Sequence, residues 1–320
     1  MSKKRTKRKK RFFKFIQLLL TLVFIILVIY LITLGKDHIF KDKKEDNNNQ
    51  EEIKNEHKEE NKKPVVEEKY TKEEKEKLEK IDYINEKINY FKWDNIDRYI
   101  AYKEKNKDLS NEKVVLYVNI GIDNEFYTNT NTSPKQNTNE VLVNKYYYVG
   151  ENYVPENLTA INSKYQSGGK KLTKEAADAF NELAKDAKEA GYTIRAVSTY
   201  RSFSYQKTLY NNYASKDGTT KADTYSARAG YSEHQTGLAV DVDNAKISYT
   251  KFGQTDEFNW MKENAHKYGY ILRYTKENEF ITGYKNEPWH YRYVGIEIAT
   301  KMKQENIPSY EEYYFMYLDK

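Results

Sequence analysis

The hydrophobic and polar positions of this chain change character three times along its length. FIQLLLTLVFIILVIYLITL, residues 15–34, runs without a charge. As a helix rising 1.5 Å per residue it would be about 30 Å long, the thickness of a bilayer's hydrocarbon core. The run ends Leu31-Ile32-Thr33-Leu34-Gly35-Lys36, without the small-residue pattern of a cleavage site. Residues 15–35 are therefore predicted to be an uncleaved transmembrane anchor. Residues 36–70 are almost all charged or amide and cannot bury enough apolar surface to fold, so they are predicted to be a disordered stalk. As a coil the stalk would span roughly 30–35 Å. His38 and His57 lie in it and read as solvated.

From residue 71 the pattern becomes periodic. Leu78, Ile81, Ile84, Ile88 and Phe91 recur every three or four positions, a helical spacing. Ile96, Tyr99 and Ile100 begin a second short apolar face. VVLYVNI, 114–120, suits either a strand or a buried helical turn. Residues 71–135 are expected to form a small helical cap region, and 136–320 the main domain. There Thr173 suits an N-cap, and Ala176, Ala177, Phe180, Leu183, Ala184 and Ala187 form one helical face that ends at Gly191. TIRAVS, 193–198, reads as a strand, and residues 204–214 as a helix. LAVDVD, 238–243, alternates as a half-buried strand does. A helix over 256–268 ends at Gly269, and YILRY (270–274) and HYRYV (290–294) are further strands. This order predicts an α+β domain with a small, mostly antiparallel central sheet flanked by helices.

Charge narrows the partners. The net charge is +6, but nine of the 54 basic residues lie within residues 3–14, and the other 45 face 48 acidic ones, leaving about −3. That balance excludes nucleic acid as a partner, since binding it needs a basic face. The basic tip, 1–14, suits anionic lipid headgroups and should stay cytoplasmic, which puts the rest of the chain outside the cell membrane. There is no cysteine. An exported chain without disulfides relies on its core, with any metal it holds as a further support, and thiolate ligands are excluded.

Chemistry concentrates in two short stretches. SEHQTGLAVD, 232–241, carries His234 and Asp241, with Gly237 allowing a tight turn between them. Asp241 sits in an apolar strand, where a lone carboxylate is costly to bury and a metal removes that cost. EPWH, 287–290, places Glu287 three residues before His290. Two imidazoles and a carboxylate can hold one zinc with a position left open, and a further carboxylate beside it can act as general base. His266, on WMKENAHKYG, fits a helix C-terminus, where it can meet the last carbonyls.

These motifs resemble the zinc D-alanyl-D-alanine carboxypeptidases of the VanY type, within the lysostaphin, carboxypeptidase and hedgehog superfamily. SEHQTGLAVD fits S-x-H-x-x-G-x-A-x-D, EPWH fits E-x-W-H, and STYRSFSYQ, 198–206, fits S-x-Y-R-S-x-x-x-Q. The likeness runs over about residues 140–305, and YSARAGYSEHQTGLAVD is most similar to members that trim cell-wall stem peptides, L,D-carboxypeptidases included. The resemblance implies that fold, and it implies that His234, Asp241 and His290 bind Zn2+ and that Glu287 is the base. It further implies that Arg201 stabilises the oxyanion and that Gln206 and Ser232 hydrogen-bond the substrate. Trp289 and Tyr291, flanking His290, are candidates for shaping the pocket. The implied protein is a monomeric, membrane-anchored carboxypeptidase removing the terminal D-alanine of a peptidoglycan stem peptide, across a D-Ala-D-Ala or an L,D bond, with a Glu-activated zinc water as nucleophile.

Three alternatives stand beside it. A peptidoglycan endopeptidase would use the same motifs on an open groove. A non-catalytic zinc-containing wall-binding module would not need Glu287 and Arg201, which are present. A serine carboxypeptidase would need S-x-x-K with S-D-N and K-T-G. The chain has S-x-x-K at Ser110, Ser167, Ser204 and Ser248, a chance number in so lysine-rich a sequence, and it lacks the other two motifs.

Overall fold

The computed structural model describes residues 71–81 and 88–319. The basic tip, the anchor of 15–35 and the stalk of 36–70 lie outside the described residues, as does Ile84. Among the described residues no helix is long and apolar enough to cross a membrane.

Three helices open the described chain. Thr71 and Glu74 form a capping box that starts α1 (Lys72–Glu79). Phe91, expected on a continuing helix, follows a turn and precedes the 3-10 segment Trp93–Asn95. Next come α2 (Ile96–Lys105) and α3 (Asn111–Ile120). Segment 114–120 is thus helical, with Ser110 capping its start and Gly121, at φ +105°, ending it. Val114 to Ile120 are all buried, so no polar face marks a helical period. Val114, Val115 and Val118 join Leu78, Ile81 and Tyr99 in one small core, while Leu116, Tyr117 and Ile120 enter another with Val294, Ile298, Met302 and Tyr310.

The remaining elements build a sheet and its cover. Helix α4 (Lys174–Glu189) buries the expected face, Ala176 to Ala187, and ends before Gly191 at φ +91°. Thr173 occupies its N-cap position without a side-chain capping bond. Four strands follow: β1 (Arg195–Ser198), β2 (Ala239–Asp243), β3 (Tyr270–Leu272) and β4 (His290–Tyr293). They are antiparallel in the order β1-β2-β4-β3. Between β1 and β2 lies α5 (Phe203–Asp217), capped by Ser202; between β2 and β3 lies α6 (Asp256–Asn264), extended by a 3-10 turn to Gly269. α7 (Ile296–Glu305) and a C-terminal turn at 310–318 complete the chain.

Strand β2 is buried along its whole length, where a half-buried strand was expected. The reason is cover on both faces. Val240 and Val242 enter the main core with Phe180 and Leu183, and Asp241 and Asp243 point the opposite way into polar company. Asp243 is matched by Arg195 through two hydrogen bonds of 2.7 and 2.9 Å.

Candidate metal centre

Strand pairing alone brings two of the three candidate ligands together. Asp241 on β2 is in register with His290 on β4, and with Ser198 on β1 on its other side. Residues opposed in an antiparallel pair have Cβ atoms about 4.5–5.5 Å apart on the same face. His234 arrives from a separate turn, Glu233–Thr236, closed by Gly237 at φ +71°. A Cβ at Gly237 would meet Leu158 at 3.0 Å and Pro155 at 3.2 Å, so both conformation and space require glycine there.

The donor atoms converge. His234 Nε2 lies 3.3 Å from Asp241 Oδ2, and His290 Nδ1 lies 3.1 Å from Asp241 Oδ1. One donor atom from each of the three residues falls within 4.8 Å of the others, and all three residues are buried. A tetrahedral zinc with bonds near 2.0–2.1 Å separates its ligands by about 3.3 Å, so the spacing suits such an ion. The distal nitrogens are occupied. His234 Nδ1 is 2.7 Å from the Thr199 carbonyl, which can only accept, so Nδ1 carries the proton and Nε2 is left to bind. His290 Nε2 lies 3.2 Å from Glu233 Oε2, which leaves Nδ1 on the side of the cluster.

Electrostatics favour a cation here. Burial would raise the Asp241 carboxyl, but His234, His290 and Arg201 hold it well below the usual carboxylate range. Burial and the nearby Arg201 lower His234 to about 4, keeping the imidazole neutral as a metal ligand must be. Burial opposes charge on His290 too, yet its hydrogen bonds with Asp241 and Glu233 raise it to about 9. A divalent ion between the donors would take the place of that proton. Glu287, 3.7 Å from His290 Nδ1, is pushed up to about 8, first by burial and then by the neighbouring carboxylates despite His290 and Arg201.

The cluster opens into a cavity of about 370 Å³. Arg201, Gln206, Ser232, Glu287 and Trp289 line it, so eight of the nine residues with expected site roles, the three candidate ligands included, line one cavity. Arg201 donates to Ser198 Oγ at 2.6 and 3.0 Å and to Asp241 Oδ2 at 2.8 Å, with Gln206 Oε1 at 3.5 Å. Gln206 in turn donates to the Ala227 carbonyl at 2.8 Å. Ser226, Ala227, Tyr213, Tyr225 and Tyr249 are also part of the wall, and Trp289 stacks edge-on against Tyr249 at 5.3 Å.

Gln206 and Ser232 are themselves part of that lining, so the single expected site residue the cavity does not receive is Tyr291. It lies on the opposite face of β4, fully buried in the main core, because neighbouring strand residues alternate sides. His266 sits in the turn after α6 and is not in the metal cluster. Sequence reasoning missed Glu233, Thr199 and Tyr274, whose ring lies 4.8 Å from that of His290. A signal for Glu233 existed. Arg273 and Arg292 interrupt the apolar strand segments YILRY and HYRYV, and arginines so placed need a buried anion. That anion is Glu233.

Known proteins resemble this chain over the same region. The family model for D-alanyl-D-alanine carboxypeptidase (VanY) matches residues 169–296. YodJ of Bacillus subtilis is 42% identical over 180 residues, 54% of this chain and 66% of YodJ, so the chain spans just under two thirds of that relative. A D-alanyl-D-alanine carboxypeptidase of Enterococcus faecium is 32% identical over 236 residues, 65% of this chain and 72% of the relative. Among solved structures, the LdcB LD-carboxypeptidase superimposes with a TM-score of 0.51 at 40% identity, covering 55% of this chain and 85% of LdcB.

Proposed function

We propose a function from one starting point: this chain belongs to the VanY family of D-alanyl-D-alanine carboxypeptidases and is an enzyme of that type. Its reaction is hydrolysis of the C-terminal D-alanine from a peptidoglycan stem peptide. One observation carries the reading: the donor set His234, Asp241 and His290 shares a cavity with a buried carboxylate, Glu287, and a guanidinium, Arg201.

His234, Asp241 and His290 would hold zinc, which when bound supplies a Lewis acid for the scissile carbonyl and makes a water acidic near neutral pH. Glu287 takes the proton from the attacking water and returns it to the leaving amine. Its burial raises its proton affinity toward neutrality, which suits a group that must accept and then donate. Arg201, fixed by Ser198 and Asp241, offers positive charge to the carbonyl oxygen as it becomes anionic. Gln206 and Ser232 bind the terminal residue. A cavity of about 370 Å³ suits a peptide end, which favours the carboxypeptidase over the endopeptidase.

For the bond itself, the higher identity to the LD-carboxypeptidase favours the L,D bond of a tetrapeptide over D-Ala-D-Ala. The apolar run at 15–34 and the basic tip before it support a membrane anchor with the catalytic domain outside. The test is incubation of the full chain with pentapeptide and tetrapeptide stems, read by mass spectrometry. The expected product is the tetrapeptide stem less one alanine, absent after chelation and restored by zinc. Cleavage within the stem would establish the endopeptidase, and loss of alanine from the pentapeptide alone would establish the D,D bond.

A further inference from the structure

Glu233 stands at a variable place in the S-x-H motif, and the reaction above gives it no task. It is nonetheless among the most completely enclosed charges in the described protein, with no side-chain exposure. Oε1 accepts from Arg273 Nε at 2.8 Å and Arg292 Nη1 at 3.0 Å. Oε2 is left for His290 Nε2 at 3.2 Å. With both guanidiniums donating to Oε1, the other oxygen faces His290 as an acceptor. Arg273 is itself fixed from behind by Glu311, through bonds of 2.9 and 2.6 Å, and Glu311 accepts from Asn144.

We propose that Glu233 is a positioning residue for the metal ligand His290, an inference that rests on the zinc reading above. With its Nε2 proton donated to Glu233, His290 keeps its lone pair on Nδ1, the nitrogen that faces Asp241. Glu233 and His234 are consecutive, so one short turn supplies the first imidazole and aims the second. The arginines hold the carboxylate from the far side, so it reaches His290 from one direction only. Loss of such an outer partner commonly costs 10–100-fold in metal affinity.

A purely structural role, as counter-ion to the arginines, is separated by Glu233→Asp. The shorter side chain keeps the charge for Arg273 and Arg292 but draws it back roughly 1.5 Å, one carbon–carbon bond, from His290. The purified full chain and its Glu233→Asp and Glu233→Gln variants are titrated with zinc against a chelating indicator, alongside thermal melts. Glu233→Asp should melt close to the native protein and bind zinc about 10–100-fold more weakly, and Glu233→Gln should also bind more weakly. In the native chain loaded with zinc, nitrogen NMR of labelled histidine should show His290 bound through Nδ1, with a slowly exchanging Nε2 proton. Variants binding zinc within about twofold of native, or a rapidly exchanging Nε2 proton on native His290, would overturn the inference and leave the zinc enzyme standing. A native chain that binds no zinc would overturn both. Variants that fail to fold leave the decision to the native spectrum.

Discussion

A carboxylate enclosed beside a metal site can be removed without removing the metal. Glu287 is 3.7 Å from His290 and lines the cavity, but it is outside the donor set of His234, Asp241 and His290. Glu287→Gln should therefore lower kcat by roughly 10²–10⁴-fold, the usual worth of a general base, with zinc content near one per chain. Parallel steady-state kinetics and metal analysis check this; loss of zinc together with rate would make Glu287 a ligand. That His234, Asp241, His290 and Glu287 would gather was legible in the sequence because a carboxylate such as Asp241 is costly in an apolar strand and the spacing within each motif is short. Tyr291 was misplaced because adjacency to His290 in the chain means the opposite face of β4. Glu233 was not legible as a partner of His290, since 57 residues separate them and the sheet joins them.

Among elements, the turns that frame the cavity depend on a buried cation. Lys145 Nζ donates to the carbonyls of Asp223 and Gly283 at 2.7 Å each and lies 4.3 Å from the Tyr284 ring and 4.7 Å from Phe126. It thus ties the segment before the main domain's first helix to the turns that carry Ser226 and Tyr284 to the cavity wall. Burial lowers this lysine to about 8 from 10.5. Its folded pKa lies below its unfolded one, so the unfolded chain holds more protons between pH 8 and 10.5, and stability contributed by this group rises across that window. It is lost again as pH falls through 8. Relative to Lys145→Met, the native protein should gain up to about 3 kcal/mol between pH 7.5 and 10.5. Denaturant melts of both proteins at several pH values measure the difference; a flat difference would mean that Lys145 stays protonated throughout. The sequence did not reveal this strut, since one lysine among so many carries no signal. The helical face of α4 was legible because one side is buried and the other wet, whereas α3, buried all round, offered no period to read.

At the scale of the whole molecule, the first 50 described residues are tied into the domain that carries the site. Helix α3 places Leu116, Tyr117 and Ile120 in the same core as Val294, Ile298, Met302, Tyr310 and Tyr314, and Tyr117 stacks on Phe280 at 5.4 Å. That core backs the C-terminal turn whose Glu311 holds Arg273, and Arg273 holds Glu233 against His290. Exposing three such side chains costs roughly 5 kcal/mol or more, at 1.5–3 kcal/mol each. A domain of this size is commonly stable by only about 5–15 kcal/mol. A chain shortened to begin at residue 136 should therefore melt far below one beginning at residue 66, or aggregate on expression. It should also bind zinc more weakly, because the loss propagates through Glu311 and Arg273 to the second histidine. Thermal melts and zinc titration of the two shortened chains test this together. Equal melting temperatures would make 71–135 a detachable cap, and equal zinc affinity at unequal stability would uncouple the C-terminal turn from the metal centre.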